Sequence, residues 1–522
     1  MRILKNIYSI LSMAAFILLT GCAKTIDLPT EDPPHGPLHP MLAEVIQDGP
    51  YEPQWESLVT HPIPEWFQQD RIGLSAHWGP YAVPGWTPRK DTPYGVAYAE
   101  WYRHWIETNK AVKEYHDKTY GGVPYDEFFN GAKNLTTGEI DGFFTEDFDA
   151  DRWMQTFKDA GVKYFFITVK HHDGFCIWDS KYTDRNSMKM GPKRDLFGEL
   201  VQAARKPGLR IGFYYSYYVW YNPHYTGEGE LADYYGATPL QDQDSDGELE
   251  YVDDFMIPQI KELIDNYQPD YMCFDGEWDH GYPHWRSRQI VAYYYNQAAA
   301  RGQKVLVNDR FGQKKEGVSD TRGVYGDIYH VEYFADIDRA KPWAMWRGFG
   351  NSYGYNRNEH PDNILSLEAT VQMMIDVVAD NGNVEFNLGP KADGTLAEFE
   401  LERLAAMGAW LKVNGEAIYG VSKSPVGLLP NGRVTHKMRE QKLYFHVYDW
   451  PKDGVVELPG IFNKITSARL LPTSEELSVS KQGESVIRIN VPKKAPDSYA
   501  SVIELIYEGK LKAERVKQAE KE

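Results

Sequence analysis

The sequence predicts an α/β chain, a modified (β/α)8 TIM-like barrel followed by a C-terminal β-sandwich, and three observations predict it. Short continuous apolar runs recur at wide spacing, as strands buried on both faces do. Amphipathic segments ending in turn residues separate several of them. After about Val421 the texture changes to short alternating runs with turn signals roughly every ten residues. The chain has 522 residues, more than the ~250–300 that one core supports, so two domains are expected.

Taken in order, the N-terminus comes first and lies outside the fold. Arg2 and Lys5 precede an apolar run, Ile7 to Leu19, too short to span a bilayer, and Leu19-Thr20-Gly21-Cys22 follows. That box resembles a bacterial lipoprotein cleavage site, so residues 1–21 read as a signal peptide and Cys22 as the acylated first residue. Ala23 rather than Asp follows the cysteine, which favours the outer membrane. The membrane is thus expected as a partner only through the N-terminal lipid. Residues 22–53, with LPTEDPPHGPLHP, read as a tether.

Residues 54–420 carry the barrel. Its strands are expected at Ile72 to Ala76, Tyr164 to Val169, Ile211 to Tyr215, Tyr271 to Phe274, Val305 to Val307 and Val384 to Leu388, with a more polar run at Ile328 to Phe334. Helices are expected at Asp151 to Ala160, Leu196 to Arg205, Asp253 to Tyr267 and Ser366 to Ala379. The eighth strand has no clear signal. Residues 421–510, with KLYFHVYDW, GVVELPG, ITSARLL, ESVIRINVP and SVIELIY, read as the sandwich, and 511–522 as a solvated charged tail.

Composition narrows the chemistry. A net charge of -19 without a basic stripe excludes nucleic acid as a partner. The 36 Tyr and 15 Trp exceed what a core needs and suit stacking against flat, partly apolar ligands such as sugars. Beyond Cys22, Cys176 and Cys273 are the remaining cysteines, too few for a disulfide framework or a zinc set. Both adjoin apolar runs and read as buried free thiols.

Reactive residues of such a barrel stand at the C-terminal strand ends. Those positions hold His77-Trp78, His171-His172-Asp173, Tyr217-Tyr218, Asp275-Gly276-Glu277, Asn308-Asp309-Arg310, Glu332 and Asn387. The histidine pair, with His77 as a third ligand, suggests a metal, but adjacent residues of a strand face opposite ways and no HxH or HExxH spacing accompanies it. Hydrogen bonding to a polyhydroxylated substrate is the better reading. Sugar cleavage needs two carboxylates, one to attack and one to donate a proton. Asp275 ends the most apolar strand, where Arg310 from the next strand would keep it ionised as a nucleophile. Glu332, flanked by Val331 and Phe334, suits the acid/base. Glu277 is its rival.

These blocks resemble α-L-fucosidases of glycoside hydrolase family 29. The resemblance runs from about Pro64 to Gly420 and rests on HWGPYAVP, YAEWY, DAGVKYFFITVKHHDGFCIW, GPKRDLFGELVQAARKPGLRIGFYYS, PDYMCFDGEWD, VNDR, YGYNRNE and FNLGPKADGTL. It implies retaining hydrolysis of fucosylated oligo- or polysaccharides without metal or organic cofactor, with Asp275 as nucleophile and Glu332 as acid/base. His77, His171, His172, Glu100, Trp101 and Arg310 match residues that bind the sugar, and Trp78, Tyr215 and Trp346 complete the expected lining. Ser75 and Cys273 depart from the bulky apolar residues usual in relatives. Ser75 leaves room or a hydrogen bond for a hydroxyl on C6, so an α-L-galactosidase is the alternative enzyme, and a non-catalytic glycan-binding surface lipoprotein the alternative of another class. Separately, Asp242, Asp244 and Asp246 with Asp253 at the twelfth position fit the spacing of a calcium loop.

Overall fold

The computed structural model describes residues 36–89, 98–222, 225, 250–312, 325–333 and 341–516. Eight parallel strands form one curled sheet. They are β1 (Ile72–Ala76), β2 (Tyr164–Lys170), β3 (Arg210–Ser216), β4 (Tyr271–Asp275), β5 (Leu306–Val307), β6 (Tyr329–Glu332), β7 (Trp343–Gly348) and β8 (Gly382–Leu388). Their order, β5-β4-β3-β2-β1-β8-β7-β6, passes from β1 straight to β8, as a (β/α)8 barrel does. At the seam between the two outermost strands, Asp327 stands in for ladder pairing. Its backbone N–H donates to the Val307 carbonyl at 3.2 Å, and its carboxylate accepts from the Val307 N–H at 2.9 Å.

The alternation of the strands sorts their side chains. Tyr164, Phe166, Tyr214, Tyr271, Cys273 and Trp346 meet inside the barrel, while Phe165, Ile167, Ile211 and Phe213 face the surrounding helices. Both faces are covered, which is why these strands read as unbroken apolar runs. The helices at Ala150–Asp159, Leu196–Arg205 and Leu367–Ala379 start at Asp149, Asp195 and Ser366, whose side chains accept backbone N–H bonds of the first turn. The expected helix from Asp253 begins as a wider turn, Tyr251–Met256, and becomes α-helical at Ile257–Tyr267. The strand without a sequence signal is β7, and its six residues are all buried.

The second domain packs two antiparallel sheets over its own apolar core. One holds β9 (Gly432–Lys437), β10 (Lys442–Val447), β15 (Ser501–Tyr507) and β12 (Ile465–Leu470) in that order; the other holds β11 (Val455–Pro459), β14 (Val486–Asn490) and β13 (Val479–Gln482). It is fastened to the barrel by polar contacts. Tyr448 donates to Asp376 at 2.6 Å, and the Trp410 indole to the Ala500 carbonyl at 2.9 Å.

Both ends of the fold depart from expectation. Within the stretch read as a tether, Ala43–Asp48 is a helix that buries Ile46 and the preceding Leu42. Asn296 clamps the following Tyr51 through its backbone N–H and carbonyl, at 2.8 and 2.9 Å. The tail read as solvated runs along the sandwich as far as Val516, with Lys512, Glu514 and Val516 in backbone hydrogen bonds. Its charges mark an outward-facing edge rather than a free end. No helix among the described residues is long and apolar enough to cross a membrane. Of the calcium-loop aspartates, Asp242, Asp244 and Asp246 lie outside the described residues, and Asp253 binds Arg286 through both carboxylate oxygens at 2.6 and 2.8 Å. A carboxylate engaged in that way is not free to chelate, so Asp253 is withdrawn as a ligand.

Candidate active site

At the C-terminal mouth of the barrel, β4 and β6 each end in a carboxylate, and Arg310, beyond β5, reaches both. Its guanidinium donates from Nη1 to Asp275 Oδ1 at 2.6 Å and from Nη2 to Glu332 Oε1 at 2.6 Å. Asp275 accepts a second bond at Oδ2, from the Tyr214 hydroxyl at 2.7 Å. Burial alone would raise the pKa of Asp275. The charge of Arg310 and the hydrogen bonds from Tyr214 and Arg310 outweigh it, so the carboxyl lies below its ordinary range. The two acids differ in solvent contact, with 12% of the Asp275 side chain exposed and 32% of that of Glu332. Glu277, the rival acid, is buried in the turn after β4.

The imidazoles are anchored from behind. Asn387 donates through Nδ2 to the carbonyls of Tyr353 and Leu388, which fixes its amide orientation and leaves Oδ1 as an acceptor. That oxygen lies 2.8 Å from His77 Nδ1, so Nδ1 carries the proton and Nε2 keeps its lone pair. Ser216 does the same for His172. Its hydroxyl donates to the Tyr218 carbonyl at 2.7 Å and therefore accepts from His172 Nδ1 at 2.6 Å. Burial pushes His77 down to about 4 and His172 down to about 3, so both are neutral at pH 7. His171 packs between them, with ring centroids 5.5 Å from His77 and 4.1 Å from His172. Both members of the pair reach the mouth because the register between β2 and β3 slips after Thr168 and the strand ends at Lys170, just before them. Among the described residues no group of three or more His, Cys, Asp or Glu is arranged to hold a metal ion.

Glu100 comes from the loop after β1. Its carboxylate accepts from the Gly354 N–H at 2.7 Å and the Ser352 hydroxyl at 3.3 Å, while burial pushes it up to about 7. Trp101 and Trp278 set their rings 5.0 and 5.6 Å from His172. Trp346 lies 5.3 Å from His77 and 4.8 Å from Tyr353. Its indole N–H donates to Ser75 at 2.6 Å, so the large ring occupies the space beside the small serine. Ser75 in turn donates to Asn387 at 2.9 Å. The hydroxyl that suggested a partner for a C6 oxygen is already doubly bonded inside the barrel. Cys273 also faces the interior, 3.6 Å from His330 Nδ1. Cys176 and Cys273 are both free thiols and buried.

Two expected sugar contacts point elsewhere. Trp78 follows His77 and turns outward, against Phe143, Phe148 and Trp153, with its indole on the Lys391 carbonyl. Tyr215 alternates outward from β3 and donates to Gln259 at 2.7 Å. The period of two assigns the inward place to Tyr214, which sequence reasoning missed although Gly212, Tyr214 and Ser216 share a parity. Asp173 fixes its loop by accepting from Tyr125 at 2.9 Å and from the Phe175 N–H at 3.1 Å.

Retaining cleavage of a glycosidic bond takes two carboxylates about 5 Å apart, and one guanidinium here holds both acids to its own span; fold and site together define a glycoside hydrolase. The comparisons make this particular. The model of the family described as Alpha-L-fucosidase matches residues 40–416, and the chain belongs to that family. The alpha-L-fucosidase of Dictyostelium discoideum is 30% identical over 475 residues, covering 88% of this chain and 95% of that protein. Among solved structures, the Thermotoga maritima alpha-fucosidase in complex with fucose is 34% identical, with a TM-score of 0.71 over 87% of this chain and all of the other. A Bacteroides thetaiotaomicron GH29 alpha-L-fucosidase, trapped as a covalent intermediate, is 25% identical with a TM-score of 0.65 over 85% of this chain and 95% of the other.

Proposed function

We propose that the protein is a retaining, exo-acting α-L-fucosidase that removes terminal α-L-fucosyl residues from fucosylated oligo- or polysaccharides. The observation that carries this is the Arg310 clamp, which aligns Asp275 and Glu332 in a chain of this family. Asp275, kept ionised, attacks the anomeric carbon as Glu332 protonates the departing glycosidic oxygen, so the C–O bond breaks and a fucosyl ester forms. Glu332, now a carboxylate, then takes a proton from water, whose oxygen displaces Asp275 and releases the sugar. Glu332 rather than Glu277 fits this double role, because the group must meet both the leaving oxygen and water and it is the more exposed of the two. The Nε2 lone pairs of His77 and His172 accept from sugar hydroxyls, and Glu100 and Trp101 line the same pocket. Two carboxylates and one water supply every proton and bond in this scheme, so it needs no cofactor.

The α-L-galactosidase alternative loses its motive once Ser75 is bonded to Trp346 and Asn387. A silent glycan-binding protein would have no use for a nucleophile held ionised. Asp275→Ala is expected to lower kcat on an aryl α-L-fucoside by roughly a thousandfold or more; a variant that keeps its rate sinks the mechanism.

The enzyme is anchored in the outer membrane through acylated Cys22. The charged start, short apolar core and LTGC box support this placement. Fractionation of the native host checks it, since recovery of the intact protein in the soluble fraction contradicts the anchor.

A further inference from the structure

A second cavity, with a volume of ≈ 400 Å³, opens among the loops at the C-terminal end of the barrel. Its walls come from the segments that follow β1, β7 and β8 and from the short hairpin Ala132–Lys133/Ile140–Asp141. Those three strands point the same way as β4 and β6, so the cavity shares the face that carries Asp275 and Glu332. Two of its walls are continuations of the sugar pocket. Tyr81, whose ring lies 5.5 Å from His171, leads directly into Ala82 and Val83. Gly354, whose N–H holds Glu100, leads into Tyr355 and Arg357.

The lining combines flat apolar faces with convergent polar groups. Phe144 and Tyr355 supply aromatic rings, and Ile140, with 57% of its surface exposed, borders the same opening. Arg357 is aimed by a bond from Nη2 to the Val83 carbonyl at 2.7 Å. Asp141 is fixed by Tyr120 and Asn134, at 3.1 and 2.8 Å. By contrast Lys391, Glu139 and Glu146 end in charged groups that make no hydrogen bond or ion pair among the described residues. Such a set holds charged donors and acceptors at one opening without joining them to each other. Four carboxylates, Glu139, Asp141, Glu146 and Asp393, face the two cations Arg357 and Lys391. The excess of negative charge disfavours sulfated or uronic ligands, whereas a neutral polyol can use both signs as hydrogen-bonding partners and lay its C–H face on the rings.

We infer that this cavity binds neutral saccharide units of the substrate glycan beyond the fucosyl residue that is cleaved. The inference rests on the proposed fucosidase activity, and the test separates the two. Lys391→Ala combined with Glu146→Ala removes two side chains that make no bond in the fold. Activity is measured on an aryl α-L-fucoside, which has no further sugar, and on a panel of neutral fucosylated oligosaccharides. The expected result is an aryl-fucoside kcat/KM within about twofold of wild type and an oligosaccharide kcat/KM lowered about tenfold through KM, as loss of one or two hydrogen bonds would give. An unchanged oligosaccharide rate overturns the site, as does a parallel fall on both substrates. Wild type that turns over the aryl fucoside but none of the panel also counts against it, because a saccharide site should favour the longer substrate. Wild type inactive on the aryl fucoside would instead overturn the fucosidase reading, and this inference with it.

Discussion

Asp275 is kept ionised by two neighbours, Arg310 and Tyr214, and the contribution of the tyrosine can be removed with a single oxygen atom. Its hydroxyl bonds only the charged form well, so it lowers the pKa of the nucleophile alongside Arg310. Hydrogen bonds to charged groups contribute about 1.5–3 kcal/mol. Tyr214→Phe should therefore lower kcat/KM on an aryl α-L-fucoside by about ten- to a hundredfold. The sign of the pH effect follows from the same bond. Without it the folded-state pKa of Asp275 rises, so the acid limb of the profile moves to higher pH. A pH–rate profile of the variant that superimposes on that of wild type would show that the tyrosine plays no part in tuning the nucleophile.

At the scale of elements, what was legible in the sequence is what local physics decides. Leu196–Arg205 has its capping Asp195 before it and Pro207-Gly208 after it, and its observed bounds match those expected. Strands covered on both faces announce themselves as β2 does, by seven consecutive buried residues. β7 escaped notice because WAMWRG includes a glycine and an arginine and has no β-branched residue, and its burial is imposed by β6 and β8 on either side. The site divides along the same line. Asp275 and Glu332 were found because they end strands and Arg310 because it closely follows one, and their convergence needs no more than the barrel. Tyr215 was chosen over Tyr214 because an apolar run hides which parity points inward until the strand is placed in the sheet. Trp78 was misplaced for a related reason, since a residue just past a strand end turns with its loop.

Across the whole molecule, buried titratable groups set how stability responds to pH, and they pull in opposite directions. His77, His172 and His446 are pushed down to about 4, 3 and 3 by burial, and His171 lies well below its ordinary value. Between those values and about 6.5 the unfolded chain binds four protons that the folded chain does not, so stability falls as pH falls. Glu100 and Glu400, pushed up to about 7, and Asp173, pushed up to about 6, act the other way, holding protons that the unfolded chain has released. Between about pH 4.5 and 6 the four imidazoles outnumber the three carboxyls, and below about 4.5 the two glutamates drop out because both states are protonated. The contribution of these seven groups to stability therefore falls on acidification. His446 isolates one part of this. It lies in the sandwich, with Nε2 3.1 Å from the Thr435 hydroxyl and no contact with the carboxylate pair. His446→Gln keeps a polar group at Thr435 and removes the titration. The free energy of unfolding of the variant, followed from pH 4.5 to 6, should lose about 1.4 kcal/mol of slope per pH unit relative to wild type, with kcat on an aryl α-L-fucoside unchanged at pH 7. Parallel curves for the two proteins would mean that His446 is already charged in the folded state, contrary to the burial that holds it neutral.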